Sequence, residues 1–335
     1  MKALITGSTG FVGANLCAAL VERGWDVRAL HRASSRLDAL EGITVEHAIG
    51  DVMAPESLVE AMRGCDVVYH VAAVADYWRQ AAEKLYRINV EGTRAVCQAA
   101  LDAKVSRLVF TSSVASLGIP DPGEGSKPLQ GLMDESHEFN LPPKRFRYGH
   151  SKLLAEGVVR DFVALGLDAV IVNPSVILGP RDLNLISGSI VVEVARGHVP
   201  PFYPPGGTNY IAVEDVCAGQ ITAAERGRTG ERYILAAHNL THREAMQVVC
   251  QVVGVPGPRA GIPRALVGPL AAMIDLATKV VGRPLPLNGD QMRLSAEFIY
   301  FDSSKAVREL GLPQTPFRET VERTYEWYKA HGYLT

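Results

Sequence analysis

The 335-residue chain has only five cysteines, Cys17, Cys65, Cys97, Cys217 and Cys250, scattered through apolar segments with no C-x-x-C pair. That spacing excludes a disulfide framework or a zinc site and leaves them as small core residues of a reducing compartment. Basic runs are missing as well. Lys and Arg total 34 against 36 Asp and Glu, with no tract of one sign, so nucleic acid is not an expected partner. "MKALITGSTG" is too short in its apolar part for a signal peptide, which makes a cytoplasmic location the default. The most apolar late segment, "RALVGPLAAMIDLATKVVGRP", is broken by Pro269 and carries Asp275 and Lys279. It reads as a helix packed on the protein and roofing a greasy pocket, not as a membrane span, with peripheral membrane contact the less favoured alternative. Internal repeats and low-complexity tails are also absent.

What the sequence has is a strong α/β rhythm. "KALIT", "DVRAL", "TVEHAIG", "DVVYHVAA", "RLVFTSS" and "AVIVNPS" are short apolar runs alternating with helical patterns up to about residue 180. Runs of that length suit strands covered on both faces, which predicts a Rossmann-type, doubly wound parallel sheet. From residue 181 the composition shifts to Pro/Gly-rich stretches such as "HVPPFYPPGG" and "GVPGPRAGIP". The expected organisation is a nucleotide-binding domain over residues 1–180 and a smaller α/β substrate-binding domain over 181–335, with the chain crossing back to the sheet. "SKAVREL" and "RETVERTYEWYKAHG" read as amphipathic closing helices.

The first strand hands over to a helix through "GSTGFVG". Gly7, Gly10 and Gly13 allow a tight turn, and they leave backbone N–H groups at the helix start open to a pyrophosphate, with Thr9, Phe11 and Val12 beside it. The second strand ends "RALHRASSR" with no carboxylate to grip a ribose 2′-hydroxyl. Arg32 and Arg36 stand there instead, either as a 2′-phosphate clamp or as solvated surface arginines, so NADP(H) is favoured over NAD(H). Asp51 and Val52 follow the third strand, where the carboxylate would accept the adenine amino group or close a turn before Pro55. Ala72 and Ala73 end the fourth strand and leave room for a ribose.

"RYGHSKLLAEG" places Tyr148 and Lys152 four residues apart on one helical face. A free phenol has a pKa of about 10, and bringing it toward 7 takes roughly 4 kcal/mol of preferential phenolate stabilisation. A lysine one turn away and the positive end of the helix dipole both act in that direction. "FTSSVASLG" comes before it at a strand end with Thr111, Ser112 and Ser113. Ser113 is the preferred second hydroxyl and Ser112 its competitor.

These motifs, together with "NVEGT" around Asn89, "NPS" at Asn173–Ser175, "VEDV" with Asp215 and "FDSSKAVRELG", resemble the extended short-chain dehydrogenase/reductases. Within them the chain is most similar to dihydroflavonol-reductase-like proteins and hopanoid-associated sugar epimerases. The resemblance implies that Tyr148 is the general acid/base, that Lys152 binds the nicotinamide ribose and tunes Tyr148, and that Ser113 polarises a carbonyl. It also implies that Pro174 and Val176 line the nicotinamide and that Asn89 and Thr111 lie among the cofactor contacts. Nucleotide-sugar epimerases of this type carry an arginine shortly before "VEDV"; here Thr208 and Asn209 stand in that place, although Arg181 is present. Tyr77, Trp78, Phe139, Tyr203 and Tyr210 are expected to converge on the pocket, with Asn173 beside them, and to favour a flat, largely apolar ketone or aldehyde. Sugar epimerisation is the alternative, and a non-catalytic redox-sensing protein a minor one. A homodimer is expected through "VEGTRAVCQAALDA" and "SKLLAEGVVRDFVALG".

Overall fold

The computed structural model describes residues 1–75, 82–121, 131–281 and 288–334. Each apolar run of the first half becomes a strand: β1 (Lys2–Thr6), β2 (Asp26–His31), β3 (Glu46–Ile49), β4 (Val67–His70), β5 (Arg107–Thr111) and β6 (Ala169–Pro174). They form one parallel sheet in the order β10-β6-β5-β4-β1-β2-β3. Its last member, β10 (Arg232–Leu235), pairs with β6 after the chain has crossed back from beyond residue 180. Alternate side chains feed two cores. Ile5, Ala29, Val109 and Val172 pack under α1 (Phe11–Glu22) and α7 (Val213–Arg226), while Leu4, Leu30, Leu108 and Ile171 pack under α2 (Pro55–Met62), α4 (Gly92–Asp102) and α5 (Arg147–Ala164). Burial on both faces explains why these strands read as unbroken apolar runs.

The strand order reverses at β1, which has β2 on one side and β4 on the other. A crevice opens there at the carboxyl ends of the strands. A short helix, α3 (Ala82–Tyr86), and a π-helical turn at Arg87–Glu91 lead into α4. The second layer comes from later sequence: β7 (Val176–Leu178), β9 (Gly207–Ala212), β11 (His238–Thr241) and β13 (Phe298–Ile299) form a small sheet. It is backed by α6 (Ser189–Ala195), α8 (His242–Val253) and a late helix, Phe317–Ala330. A two-stranded pair, β8 (Phe202–Tyr203) with β12 (Ala260–Gly261), precedes α9 (Arg264–Val281), which packs on α10 (Gly289–Leu294). α9 contributes nothing to the wall of the crevice, so the expectation that it roofs the pocket is corrected. Its buried residues, Val267 and Ala271, pack with Met292 and Ala296 instead.

Candidate active site

The glycine turn is built by close approach. Gly7 adopts φ +69°, a region costly for any other residue, and a Cβ there would lie 2.7 Å from the backbone of Ala72. A Cβ on Gly13 would sit 2.2 Å from the Gly7 carbonyl oxygen. α1 starts at Gly10 with no side chain capping its first amides and no acidic residue in its first turn. The positive end of the helix is thus bare and faces a cavity of about 1000 Å³. Thr9, Phe11 and Val12 line the same wall. Bare amides with glycine on every side suit the pyrophosphate of a dinucleotide, so the residues present fit such a cofactor.

A buried relay holds the opposite lip. The Ala72 N–H donates to Thr6 Oγ1 at 3.2 Å, Thr6 Oγ1 and His70 Nδ1 are 2.8 Å apart, and His70 Nε2 lies 3.0 Å from Thr93 Oγ1. Thr93 donates to the Asn89 carbonyl at 2.7 Å, so it must accept from His70 Nε2–H, which sets the tautomer. Burial, reinforced by the Lys152 charge, pushes the His70 imidazole down to about 3, so the ring stays neutral in this relay. Asn89 itself is buried: its amide bonds the Val74 backbone and Ser151, which in turn donates to the Tyr148 carbonyl. It ties the β4 loop to α5 and does not line the cavity, which corrects its expected place among the cofactor contacts.

α5 brings Tyr148 and Lys152 to the cavity wall, and the end of β5 brings Ser113. The two elements meet closely because residue 149 is glycine: a Cβ there would be 2.3 Å from the Ala115 carbonyl oxygen. Tyr148 and Ser113 are buried, and Lys152 donates to the Thr111 carbonyl at 2.9 Å. Burial lowers the Lys152 ammonium to about 8, opposed by the nearby Glu156 charge. Glu156 is fully buried one turn further along α5. Its carboxylate accepts from Ser112 and Ser116 at 2.6 Å each and from Asn173 at 2.7 Å, with Arg160 and Arg232 on its other oxygen. Ser112 is therefore committed to a structural bond. Ser113 Oγ accepts from the Ala115 N–H at 3.2 Å and, among the described residues, donates to no acceptor.

Most residues expected from sequence meet here: Arg32, Asp51 and Val52 at one end, Ala72, Ala73 and Thr111 in the middle, Pro174, Val176 and Tyr210 at the other. Asp51 also accepts from the Met53 N–H at 2.9 Å, so it closes the turn as well. Burial holds the Tyr210 phenol up at about 12. Four other expectations are corrected. Arg36 is exposed, pairs with Asp38 two residues on and does not line the cavity. Asn173 is fully buried and braces the Ser113 carbonyl, Ser116 and Glu156. Tyr203 lies on β8 under the Arg243 guanidinium, and Phe139 packs near His150 and against the cluster that holds Tyr148; neither lines the cavity. Tyr77 and Trp78 lie outside the described residues. Sequence reasoning missed Ile186, Ile190, Lys84 and Arg87, which also line the cavity. The polar residues Asn184, Ser187 and Ser189 around the two isoleucines hid that stretch as a surface loop.

Neither position where a diphosphate-binding cation was looked for offers one to the cavity. Arg181 spends its guanidinium on the Ala39 and Glu41 carbonyls. Asn209, where an arginine was looked for, is buried and bonded to Ser175, Ala237 and Asn239.

A family profile for NAD-dependent epimerases/dehydratases matches residues 3–236, which takes in β1 to β10 and every cavity-lining residue named above. The chain is 37% identical to a putative dihydroflavonol 4-reductase of Synechocystis over 98% of this chain and 95% of that one. It is 34% identical to sterol demethylase protein B of Methylococcus capsulatus over the full length of both. A solved nucleoside-diphosphate-sugar epimerase from Pseudomonas aeruginosa superposes with a TM-score of 0.80 at 25% identity, covering 100% of this chain and 99% of that one. The likeness runs along the whole chain, and the chain belongs to the NAD-dependent epimerase/dehydratase family of extended short-chain dehydrogenase/reductase enzymes.

Proposed function

We propose that this protein reduces a largely apolar ketone or aldehyde with NADPH, using Tyr148 as the acid. The observation that carries the reading is the convergence of Ser113, Tyr148 and Lys152 on the same cavity as the bare glycine turn, with Arg32 and no carboxylate at the end of β2. NADPH, when bound, supplies the hydride. Ser113 Oγ–H holds the carbonyl oxygen and polarises it. Tyr148 then delivers its phenolic proton to that oxygen as negative charge develops there. The Lys152 ammonium, held by the Thr111 carbonyl, would serve the ribose hydroxyls of a bound cofactor and favours the phenolate that Tyr148 leaves behind. Val176, Ile186, Ile190 and Tyr210 supply apolar surface to the cavity for such a substrate. The name of the Synechocystis relative, a dihydroflavonol reductase, supports a carbonyl substrate.

Epimerisation of a sugar nucleotide is the second reading. It is favoured by Lys84 and Arg87, which line the cavity without ion-pair partners among the described residues and would suit a diphosphate. Oxidation of added NADPH by a panel of ketones and aldehydes tests the first reading. An enzyme that leaves NADPH intact with every carbonyl, but interconverts sugar nucleotides on a retained cofactor, replaces it with the second.

Arg32 is exposed and forms no ion pair among the described residues, so its guanidinium is available to a 2′-phosphate. Losing charged hydrogen bonds of that kind costs about 1.5–3 kcal/mol, or roughly 10- to 100-fold in affinity. Arg32→Ala is expected to weaken NADPH by that factor and leave NADH unchanged in parallel fluorescence titrations. Equal effects on both cofactors would remove the clamp.

Lys152 also gives cofactor binding a pH dependence. Below about 8 the ammonium is already formed in the ligand-free protein, and binding needs no proton. Above it the amine is neutral, and a complex that holds the ammonium must take up a proton, so affinity falls with rising pH by up to about tenfold per unit. Calorimetric titrations in buffers of different ionisation enthalpy should register proton uptake above about 8 and none in Lys152→Met.

A further inference from the structure

We propose that α9 is a peripheral docking helix that lies on an anionic lipid surface. Its inner edge is occupied by α10, but its outer edge has no partner among the described residues. Leu266, Met273, Leu276 and Val280 are 51%, 60%, 61% and 79% exposed. At about 100° per residue these four and Pro269 fall within an arc of about 80°, and no charged residue interrupts it. The stripe runs the length of an 18-residue helix, about 27 Å. Phe202, 54% exposed on β8, extends the apolar surface beside β12, where the chain enters α9. A stripe of this kind on a monomer marks a contact surface, and single scattered leucines would not.

Three candidate occupants are separable. The face does not serve the substrate, because no α9 residue lines the cavity. It does not span a bilayer, because no helix of the described residues is long and apolar enough to cross one. Charge decides between lipid and a second copy. From Gly257 to Val281 the sole acidic residue, Asp275, is neutralised by Arg293 at 2.9 Å, and Arg264 is neutralised by Glu297 at 2.8 Å. Arg259 and Lys279 remain, exposed at the two ends of the stripe and in no ion pair among the described residues. Two copies packed antiparallel about a two-fold axis would set Arg259 of one against Lys279 of the other, like charge on like. A bilayer with anionic headgroups receives the apolar arc and satisfies both cations. In the sequence, Asp275 and Lys279 spoke against a membrane span and left peripheral contact as the less favoured alternative. The fold turns Asp275 toward Arg293 and leaves Lys279 at the margin of the arc, so neither charge interrupts the apolar face.

The test is co-sedimentation of the full chain with phosphatidylcholine vesicles, with and without phosphatidylglycerol. Wild type should pellet with the anionic vesicles and largely stay in solution with the neutral ones. Met273→Asp/Leu276→Asp should lower the bound fraction at least about tenfold, and Arg259→Glu/Lys279→Glu, which leaves the apolar arc intact, should do the same. All four substitutions lie on the surface, so the melting temperature should stay put; for the charge pair in particular, reduced binding with an unchanged melt supports the proposal. Wild type that ignores anionic vesicles, or binds neutral ones equally, overturns it. So does a dimer, measured by light scattering, that Met273→Asp/Leu276→Asp splits, since a second copy would then be the occupant.

Discussion

Tyr148→Phe is expected to lower kcat at least about 100-fold while cofactor affinity changes by no more than about threefold. Removing one oxygen leaves the ring packed beside Phe146, Leu85 and Ala115. What disappears is the proton donor on the cavity wall. Positioned proton transfer contributes about 100- to 10,000-fold, and among the described residues no other donor takes Tyr148's place: Ser113 has no base there to replenish its proton, and burial holds the Tyr210 phenol at about 12. Ser113→Ala should fall between wild type and Tyr148→Phe. Ser112→Ala should keep its turnover and lose about 1 kcal/mol of stability, because it removes one of several donors to the buried Glu156 carboxylate. Initial rates of NADPH loss with any accepted carbonyl, beside thermal melts of each variant, separate these outcomes.

Gly13→Ala is expected to abolish measurable cofactor binding, a loss of at least about 100-fold. The added methyl would lie 2.2 Å from the Gly7 carbonyl oxygen, 2.8 Å from its carbon and 3.0 Å from the Ser8 Cα. All three are backbone atoms, and no flexible side chain is present to give way. Either α1 moves off the turn or the turn opens, and both displace the N–H groups that would seat the pyrophosphate. Gly24→Ala is the control. Gly24 has φ +75° but nothing within 4 Å, so it should cost about 1 kcal/mol of stability and leave binding intact. NADPH fluorescence titration with a parallel melt distinguishes a lost seat from a lost fold.

What could be read from sequence follows from the range of the interactions. The strands β1 to β6 and the glycine turn are written in short windows, because burial on both faces and a bare helix start need only neighbouring residues. Tyr148 and Lys152 are legible for the same reason, and Glu156 continues their spacing by one more turn. Its partners Ser112, Ser116, Asn173 and Arg232 come from three other parts of the chain, so the buried carboxylate had no local signature. Arg36 was misplaced because Asp38, two residues away, captures it. Tyr203 was misplaced because a two-residue strand pairs it with residues near 260. β10 is four residues long, too short for periodicity to mark it as the sheet's edge. Asn89 and Asn173 illustrate the general difficulty. A buried amide that braces a loop and one that touches a ligand look alike until the fold shows which backbone lies beside them.

The claim that the Ser113/Tyr148/Lys152 wall performs net carbonyl reduction with exchangeable NADPH is tested most directly by one experiment. Purified, cofactor-stripped protein is given excess NADPH and a ketone or aldehyde substrate, and NADP+ and alcohol are counted together over many turnovers. Equal amounts of both are expected, with production collapsing in Tyr148→Phe. Protein that holds its nucleotide through purification and yields no alcohol from any carbonyl, or a Tyr148→Phe variant that keeps producing alcohol within about threefold of wild type, well short of the loss expected for a missing proton donor, would contradict it.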